Sequence, residues 1–318
     1  MGGALAVRLK GLGAMHEHGI EAGAGLLDTI VDVLLDAFLD TLYLIPFLFV
    51  TYLLMEWLEH HMGERSQRSI QRAGIAGPVF GGLLGAIPQC GFSAAASTLY
   101  AGRVVTLGTL FAVYLSTSDE MLPIFIAEQV PPSTLFLVLG SKIVIGIVFG
   151  FIVDAILRAR RRMPEGPHIH ELCEQDHCHC EGEETTRFPI LKSAVIHTLQ
   201  VTLFVFLISL ALNIAFEAIG EDAIGEFLSA NGVLAVLGAG VVGLIPNCAA
   251  SVAIAQLYVD GMLSTGAMMA GLLSAAGVGL LVLLRSNRPA RQNAMIVLTL
   301  LAVGIVCGLA FDALGIVF

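Results

Sequence analysis

The tetrapeptide Ile87-Pro88-Gln89-Cys90 recurs 158 residues later as Ile245-Pro246-Asn247-Cys248. The same shift, without a gap, carries Gly85, Ser93, Leu99 and Tyr100 onto Gly243, Ser251, Leu257 and Tyr258. It also carries Gly108 onto Gly266, Ser116 onto Ser274, Gly146 and Gly150 onto Gly304 and Gly308, and Asp154 onto Asp312. Coincident glycines mean little in a chain rich in Ala, Gly and Leu, but Pro-polar-Cys and Leu-Tyr pairs held in one register do not arise by composition. The chain is a duplicated half, so whatever it folds into must be buildable twice. It is also 56% hydrophobic and 13% charged over 318 residues. Soluble chains run at about half apolar and a quarter charged, so this much apolar surface must face lipid.

Each half reads as the same series of segments. A long first segment (26–60; 189–217) precedes two short apolar pieces that meet at the Pro-polar-Cys (74–89 with 90–101; 231–247 with 248–259). A segment of about two dozen residues follows (104–127; 262–284), and a last helix closes the half (133–157; 294–318). A spanning helix needs about 20 residues. The pieces flanking Cys90 and Cys248 are shorter, which favours a hairpin dipping into the membrane over two thin crossings. Non-helical backbone at that depth must line a cavity or be covered by protein. Arg65, Arg68 and Arg72 follow the first segment of half one, and Arg158, Arg160, Arg161 and Arg162 its last helix. In half two the corresponding first loop carries Glu217, Glu221, Asp222 and Glu226, and the basic loop, with Arg285, Arg288 and Arg291, has moved to a place that is uncharged in half one. Positive loops mark the cytoplasmic side. The halves therefore read as oppositely threaded, with both termini outside and the linker inside.

The expected fold is an all-α polytopic membrane protein, an inverted repeat of two homologous halves, each with a broken or re-entrant helical hairpin. Its parts are an extracytoplasmic segment 1–25, repeat one at 26–160, a cytoplasmic His/Cys-rich linker at 161–188 and repeat two at 189–318. No signal peptide or lipidation motif is recognisable at the start of the chain. The net charge of −10 comes largely from the linker, where seven acids lie between 165 and 184. With no basic face, a nucleic-acid partner is not expected.

Cys90 and Cys248, with Gln89 and Asn247, offer two soft thiols and two harder amide oxygens from matched tips. Taken singly, either cysteine would pass for a small apolar packing residue. Ser118, Asp119 and Glu120, within Ser116-Thr117-Ser118-Asp119-Glu120, interrupt an apolar segment at about 22–24 Å along it. Carboxylates at that depth need a cavity, a cation or a partner. Lys142, in the next helix, comes to a comparable depth and is expected to partner one of them. Half two has Ser274-Ala275-Ala276-Gly277-Val278 there, without charge. Asp28, Asp32, Asp36 and Asp40 form a stripe at four-residue spacing; the last two can line an external mouth, and His197, one position before the counterpart of Asp40, is a candidate relay. In the linker, His168, His170, Cys173, His177, Cys178, His179 and Cys180 pack enough ligands for a thiophilic or borderline divalent metal, as a collector or sensor. Asp154 and Asp312, near the last turns of equivalent helices, read as boundary or capping acids.

The paired Ile-Pro-Gln-Cys and Ile-Pro-Asn-Cys segments, the Ser-Thr-Ser-Asp-Glu stretch and the His/Cys loop resemble the ten-transmembrane heavy-metal exporter family, whose members are labelled manganese transporters and which is related to the arsenic permeases. The resemblance implies a secondary permease for a divalent metal, with Cys90, Cys248, Asp119 and Glu120 as the matching positions. Mn2+ would use the carboxylates and amides, whereas paired thiolates favour Zn2+ or another softer ion. The metal is substrate, and no organic cofactor is expected. Without a P-loop, coupling falls to protons or another gradient. The partners are the bilayer of a bacterial inner membrane, the metal and protons, with room for a homodimer. Three alternatives stand beside this reading. One is a thiol-based metalloid or organoarsenical permease, and another a membrane metal sensor without transport. The third, an intramembrane enzyme using Cys90 or Ser93, lacks a histidine base in the same segments.

Overall fold

The computed structural model describes residues 76–119, 121–160, 187–219, 232–287 and 289–318, with scattered helical positions between 34 and 54; at 187–193, 197, 213 and 215–219 only the backbone is described. Half one contains α1 (Gly77–Gly85), α2 (Cys90–Ala101), α3 (Leu107–Ser116), α4 (Met121–Ala127) and α5 (Pro132–Ala159). Then come α6 (Arg187–Ile219), α7 (Gly232–Gly243), α8 (Cys248–Val259), α9 (Thr265–Ser274), α10 (Val278–Ser286) and α11 (Ala290–Ala313). All the regular structure among the described residues is helical.

Among the described residues five stretches are long and apolar enough to cross a bilayer: Leu107–Ala127, Pro132–Ala159, Ala194–Leu212, Thr265–Ser286 and Ala290–Ala313. They divide sharply by environment. The first and fourth are 76% and 89% buried, whereas the other three are 22–28% buried. The exposed faces of those three carry large apolar side chains, among them Phe136, Val144 and Phe151 on α5, Leu199 and Leu203 on α6, and Leu298 and Val306 on α11. Apolar faces of that extent are tolerated only against lipid. The chain is an integral membrane protein with two central, protein-covered spans and an outer ring of lipid-facing helices.

The central spans differ from expectation. The sequence suggests continuous segments at 104–127 and 262–284; each is instead broken in two, between α3 and α4 and between α9 and α10. In half one, Pro123 supplies the cause: it has no N–H for the Asp119 carbonyl, and its ring crowds the same group. In half two, Gly277 does the work at φ +53° and ψ −145°, a region that only glycine visits without strain.

The tips are folded as hairpins. Gly77 lies against Thr109, Gly81 against Thr109 and Val113, and Gly85 against Val113 and Ser116, so α1 and α3 run in the same direction. After the tip, α2 returns, and Val104 N–H closes onto the Leu99 carbonyl at 2.9 Å before α3 begins. Both ends of the α1–α2 pair therefore lie at the start of α3, and the tip lies near its end. Half two repeats this: Val236 and Gly266 both meet Gly308, Gly243 lies on Gly271, and Met262 N–H closes onto Leu257 at 2.9 Å.

The repeat extends to individual hydrogen bonds. Asp154 accepts from Gly108 N–H at 2.9 Å and from the Thr106 hydroxyl at 2.7 Å, while Thr106 Oγ1 accepts from Thr109 N–H at 3.1 Å. Exactly 158 residues on, Asp312 accepts from Gly266 N–H at 2.8 Å and from Ser264 at 2.9 Å, and Ser264 Oγ accepts from Ala267 N–H at 3.1 Å. These acids on α5 and α11 satisfy the orphan donors that begin α3 and α9. Asp154 is 2% exposed, whereas Asp312 is open to solvent. Asp154→Ala should therefore cost about 2 kcal/mol, and Asp312→Ala about half of that. Thermal melting of the purified variants checks the order; equal losses would mean that burial of the cap is irrelevant.

Candidate functional site

Both tips use one local geometry. Gln89 N–H bonds the Ile87 carbonyl at 2.8 Å and Asn247 N–H bonds Ile245 at 2.7 Å, a turn centred on the proline, whose fixed φ suits it. Cys90 and Cys248 then open α2 and α8, and Ser93 and Ser251 return their hydroxyls to the Cys90 and Cys248 carbonyls at 2.9 and 3.0 Å. The amides, however, have diverged. Asn247 is 7% exposed, and its Oδ1 caps α8 by accepting from Ala249 N–H at 3.3 Å. Gln89 makes no such cap and is exposed.

Each hairpin packs on the second piece of the other half's broken span. The first turn of α2 is pressed onto α10, since a Cβ built on Gly279 would lie 2.7 Å from Ser93 Cβ. The Ser97 and Tyr114 hydroxyls, 2.6 Å apart, both lie within hydrogen-bond distance of the Gly279 carbonyl, at 2.7 and 3.1 Å. Reciprocally, α8 packs on α4, with the Phe125 and Tyr258 rings stacked at 6.1 Å. Cys90 is half-buried, packed against an apolar cluster that includes Leu48, Val205, Val278 and Val282.

The breaks themselves are joined through Lys142. Its ammonium donates to the Thr117 carbonyl, at the end of α3, and to the Leu272 carbonyl in the last turn of α9, the latter at 3.0 Å. At the end of α3 the hydroxyls fold back on the helix as second donors to its carbonyls: Ser116 Oγ donates to Ala112 and Thr117 Oγ1 to Val113, both at 2.8 Å. Ser118, 2% exposed, turns its hydroxyl to the Ser116 carbonyl at 3.0 Å, and Asp119 beside it is 9% exposed. The two breaks thus meet through Lys142, with the first turn of α2 against the second of them.

Of the candidate ligands, Cys90, Cys248, Asn247, Ser118 and Asp119 lie on this framework, and Gln89 lies at its edge. Among the described residues no three of His, Cys, Asp and Glu are grouped closely enough to hold a metal ion. Glu120, Asp36, Asp40 and the linker residues His168, His170, Cys173, His177, Cys178, His179 and Cys180 lie outside the described residues, as does the side chain of His197. Sequence reasoning missed both breaks and the Ser97–Tyr114–Gly279 contact. Pro123 was the available signal for the first break and Gly277, which replaces Asp119 in the repeat register, for the second; nothing in the local pattern announces the contact.

The family described as "Putative, 10TM heavy-metal exporter" (ArsP_2) matches residues 25–218. The chain belongs to that family. The match covers the whole of half one and reaches through α6, so it includes the first hairpin, the Asp119 break and Lys142, and ends before the second hairpin. No curated protein and no solved structure matches the chain. Membership in an exporter family fits a transport role and a metal-ion substrate better than catalysis.

Proposed function

We propose that the protein is a secondary transporter exporting divalent heavy-metal cations, Mn2+ or a similar transition metal, by alternating access around a site at the membrane midplane. The observation that carries this reading is the joining of two broken spans, one from each half, through Lys142, with the buried Asp119 at the first break and the first turn of α2 packed at the second. Broken helices at mid-depth are how transporters build ion sites from backbone and a few side chains. Asp119 is the chief charge for the metal, Ser118 and the tip residues Asn247, Gln89, Cys90 and Cys248 are neighbouring donors, and Glu120 joins Asp119 by sequence. The linker ligands 168–180 collect metal on the cytoplasmic side. Asp36, Asp40 and His197 belong to the ion path, and protons are the counter-ion, since metal ligands must shed protons to bind.

The two repeats, 26–160 and 189–318, are oppositely threaded in this reading, with both termini outside. Two contacts support the inversion. Gln292, just past the end of α10, donates to the Tyr100 hydroxyl near the end of α2, where α3 begins. Phe125, near the end of α4, stacks on Tyr258, where α9 is about to begin. Each broken span thus ends on the side where the other starts.

The test is metal flux. Full-length protein in proteoliposomes, loaded with a metal-sensitive dye, should pass Mn2+ and at least one of Zn2+ and Cd2+ above protein-free vesicles, and impose a pH change as it does so. Absence of flux for every ion, with intact binding to the 168–180 linker, would make the protein a sensor. With Cys90→Ser and Cys248→Ser together, Mn2+ flux should fall less than threefold and Cd2+ flux more than tenfold, because thiolate donors matter for the softer ion. Equal losses for both would remove the thiols from the site's selectivity.

A further inference from the structure

Lys142 is 1% exposed, in the middle of the long helix α5. Burying an ammonium is costly unless its charge is met. Among the groups it donates to are main-chain carbonyls at two helix ends, Thr117 at the end of α3 and Leu272 in the last turn of α9. Leu272 would bond the N–H four residues on, at Ala276, but the helix stops at Ser274 and leaves the carbonyl free to turn to Lys142. A helix C-terminus is equivalent to about half a negative charge. Two of them meet this ammonium and together face it with about one negative charge. The position is single: its counterpart in the repeat is Leu300, fully buried and apolar. One cation therefore serves both breaks, one from each half.

Unwound carbonyls at half-helix ends are the donors with which membrane proteins hold small monovalent cations. We propose that the Lys142 ammonium is a built-in cation, standing where a bound alkali-metal ion would otherwise join the two broken helices. Two consequences follow. Transport needs neither Na+ nor K+, because the cation is covalently supplied. Cutting the side chain back to alanine leaves a carbonyl-lined space that takes up Na+. The first consequence rests on the transport reading above, whereas the second does not.

The experiment compares thermal melting of the full chain in detergent, in sodium chloride, potassium chloride or choline chloride at equal ionic strength. The wild-type midpoint should agree within about 1 °C among the three salts. Lys142→Ala should melt well below wild type in choline and regain about 5 °C in sodium, as expected when a ligand binds only the folded state. Lys142→Met, which fills the space without a charge, should be destabilised in every salt, and Lys142→Arg least of the three variants. The proposal is overturned if Lys142→Ala melts identically in all three salts, or if Lys142→Met keeps the wild-type midpoint. Should Lys142→Ala fail to yield folded protein, the methionine variant decides alone: a wild-type midpoint overturns the proposal, and a loss that arginine avoids supports it. A parallel flux assay separates the two readings. Sodium rescue of Lys142→Ala melting with no Mn2+ flux in wild type would sink the substrate and leave the built-in cation standing.

Discussion

Asp119→Asn is expected to lower the initial rate of Mn2+ flux, at metal concentrations below saturation, by about 30-fold or more. The substitution keeps the shape and a carbonyl oxygen but removes the negative charge from a side chain that is 9% exposed. Removing one member of a buried, compensated charge pair costs about 2–5 kcal/mol, and every 1.4 kcal/mol is tenfold in affinity. The fold should tolerate the change, since Asn carries no charge to desolvate in the bilayer interior. Flux through reconstituted variant protein, normalised to the amount inserted, is the measurement. A rate within twofold of wild type would move the metal away from the first break. Glu120→Gln, made alone, then reports whether its neighbour carries the charge instead.

The second large effect is on stability. Gly108→Ala should lower the melting midpoint by about 6–12 °C, from overpacking of about 3 kcal/mol. A Cβ at that position overlaps the Gly150 carbonyl oxygen and lies 2.5 Å from Asp154 Cγ. Backbone cannot rotate away as a side chain can. Retreat of α3 from α5 would also break the 2.9 Å bond from Gly108 N–H to Asp154. Gly266→Ala repeats the collision against Gly308 and Asp312 in half two, and should cost less because Asp312 is exposed and can give way. Gly140→Ala is the control: it sits in the same long helix as Asp154, with nothing within 4 Å of its Cβ position. There alanine should be neutral or stabilising by about 0.5–1 kcal/mol, through helix propensity. If Gly108→Ala and Gly140→Ala melt together, the close packing of α3 on α5 is wrong.

Much of the architecture could be read before any coordinates. The Pro-polar-Cys pairs placed both hairpin tips, and the recurrence of Asp154 as Asp312 anticipated matched caps, which the hydrogen bonds to Gly108 and Gly266 realise. The family resemblance, resting on the Pro-polar-Cys segments, the Ser-Thr-Ser-Asp-Glu stretch and the His/Cys loop, is met by the match over 25–218, which holds all of these but the second Pro-polar-Cys segment. The break at Gly277 was not legible, because the run also carries Gly266, Gly271 and Gly279, and an apolar run with scattered glycines is compatible with a continuous helix. What stops the helix is a backbone conformation, and conformation is not a composition. Likewise the separation of the two tip amides into a buried cap at Asn247 and an exposed Gln89 could not be read from a Gln/Asn pair that looks interchangeable.

Apolar runs, charge-poor segments and the 158-residue recurrence were enough, alone, to require a membrane protein assembled from two copies of one unit. Lipid leaves unpaired backbone no solvent to turn to, so the choice of secondary structure is nearly forced. The carbonyl partners of Lys142 were decided only by tertiary structure. From sequence, a lysine at the depth of two acids is expected to partner one of them; the fold also brings its ammonium to carbonyls 155 residues apart, on Thr117 and Leu272. Main-chain carbonyls occur at every residue, and only packing determines which of them are left without a helical N–H and brought within reach of one buried charge.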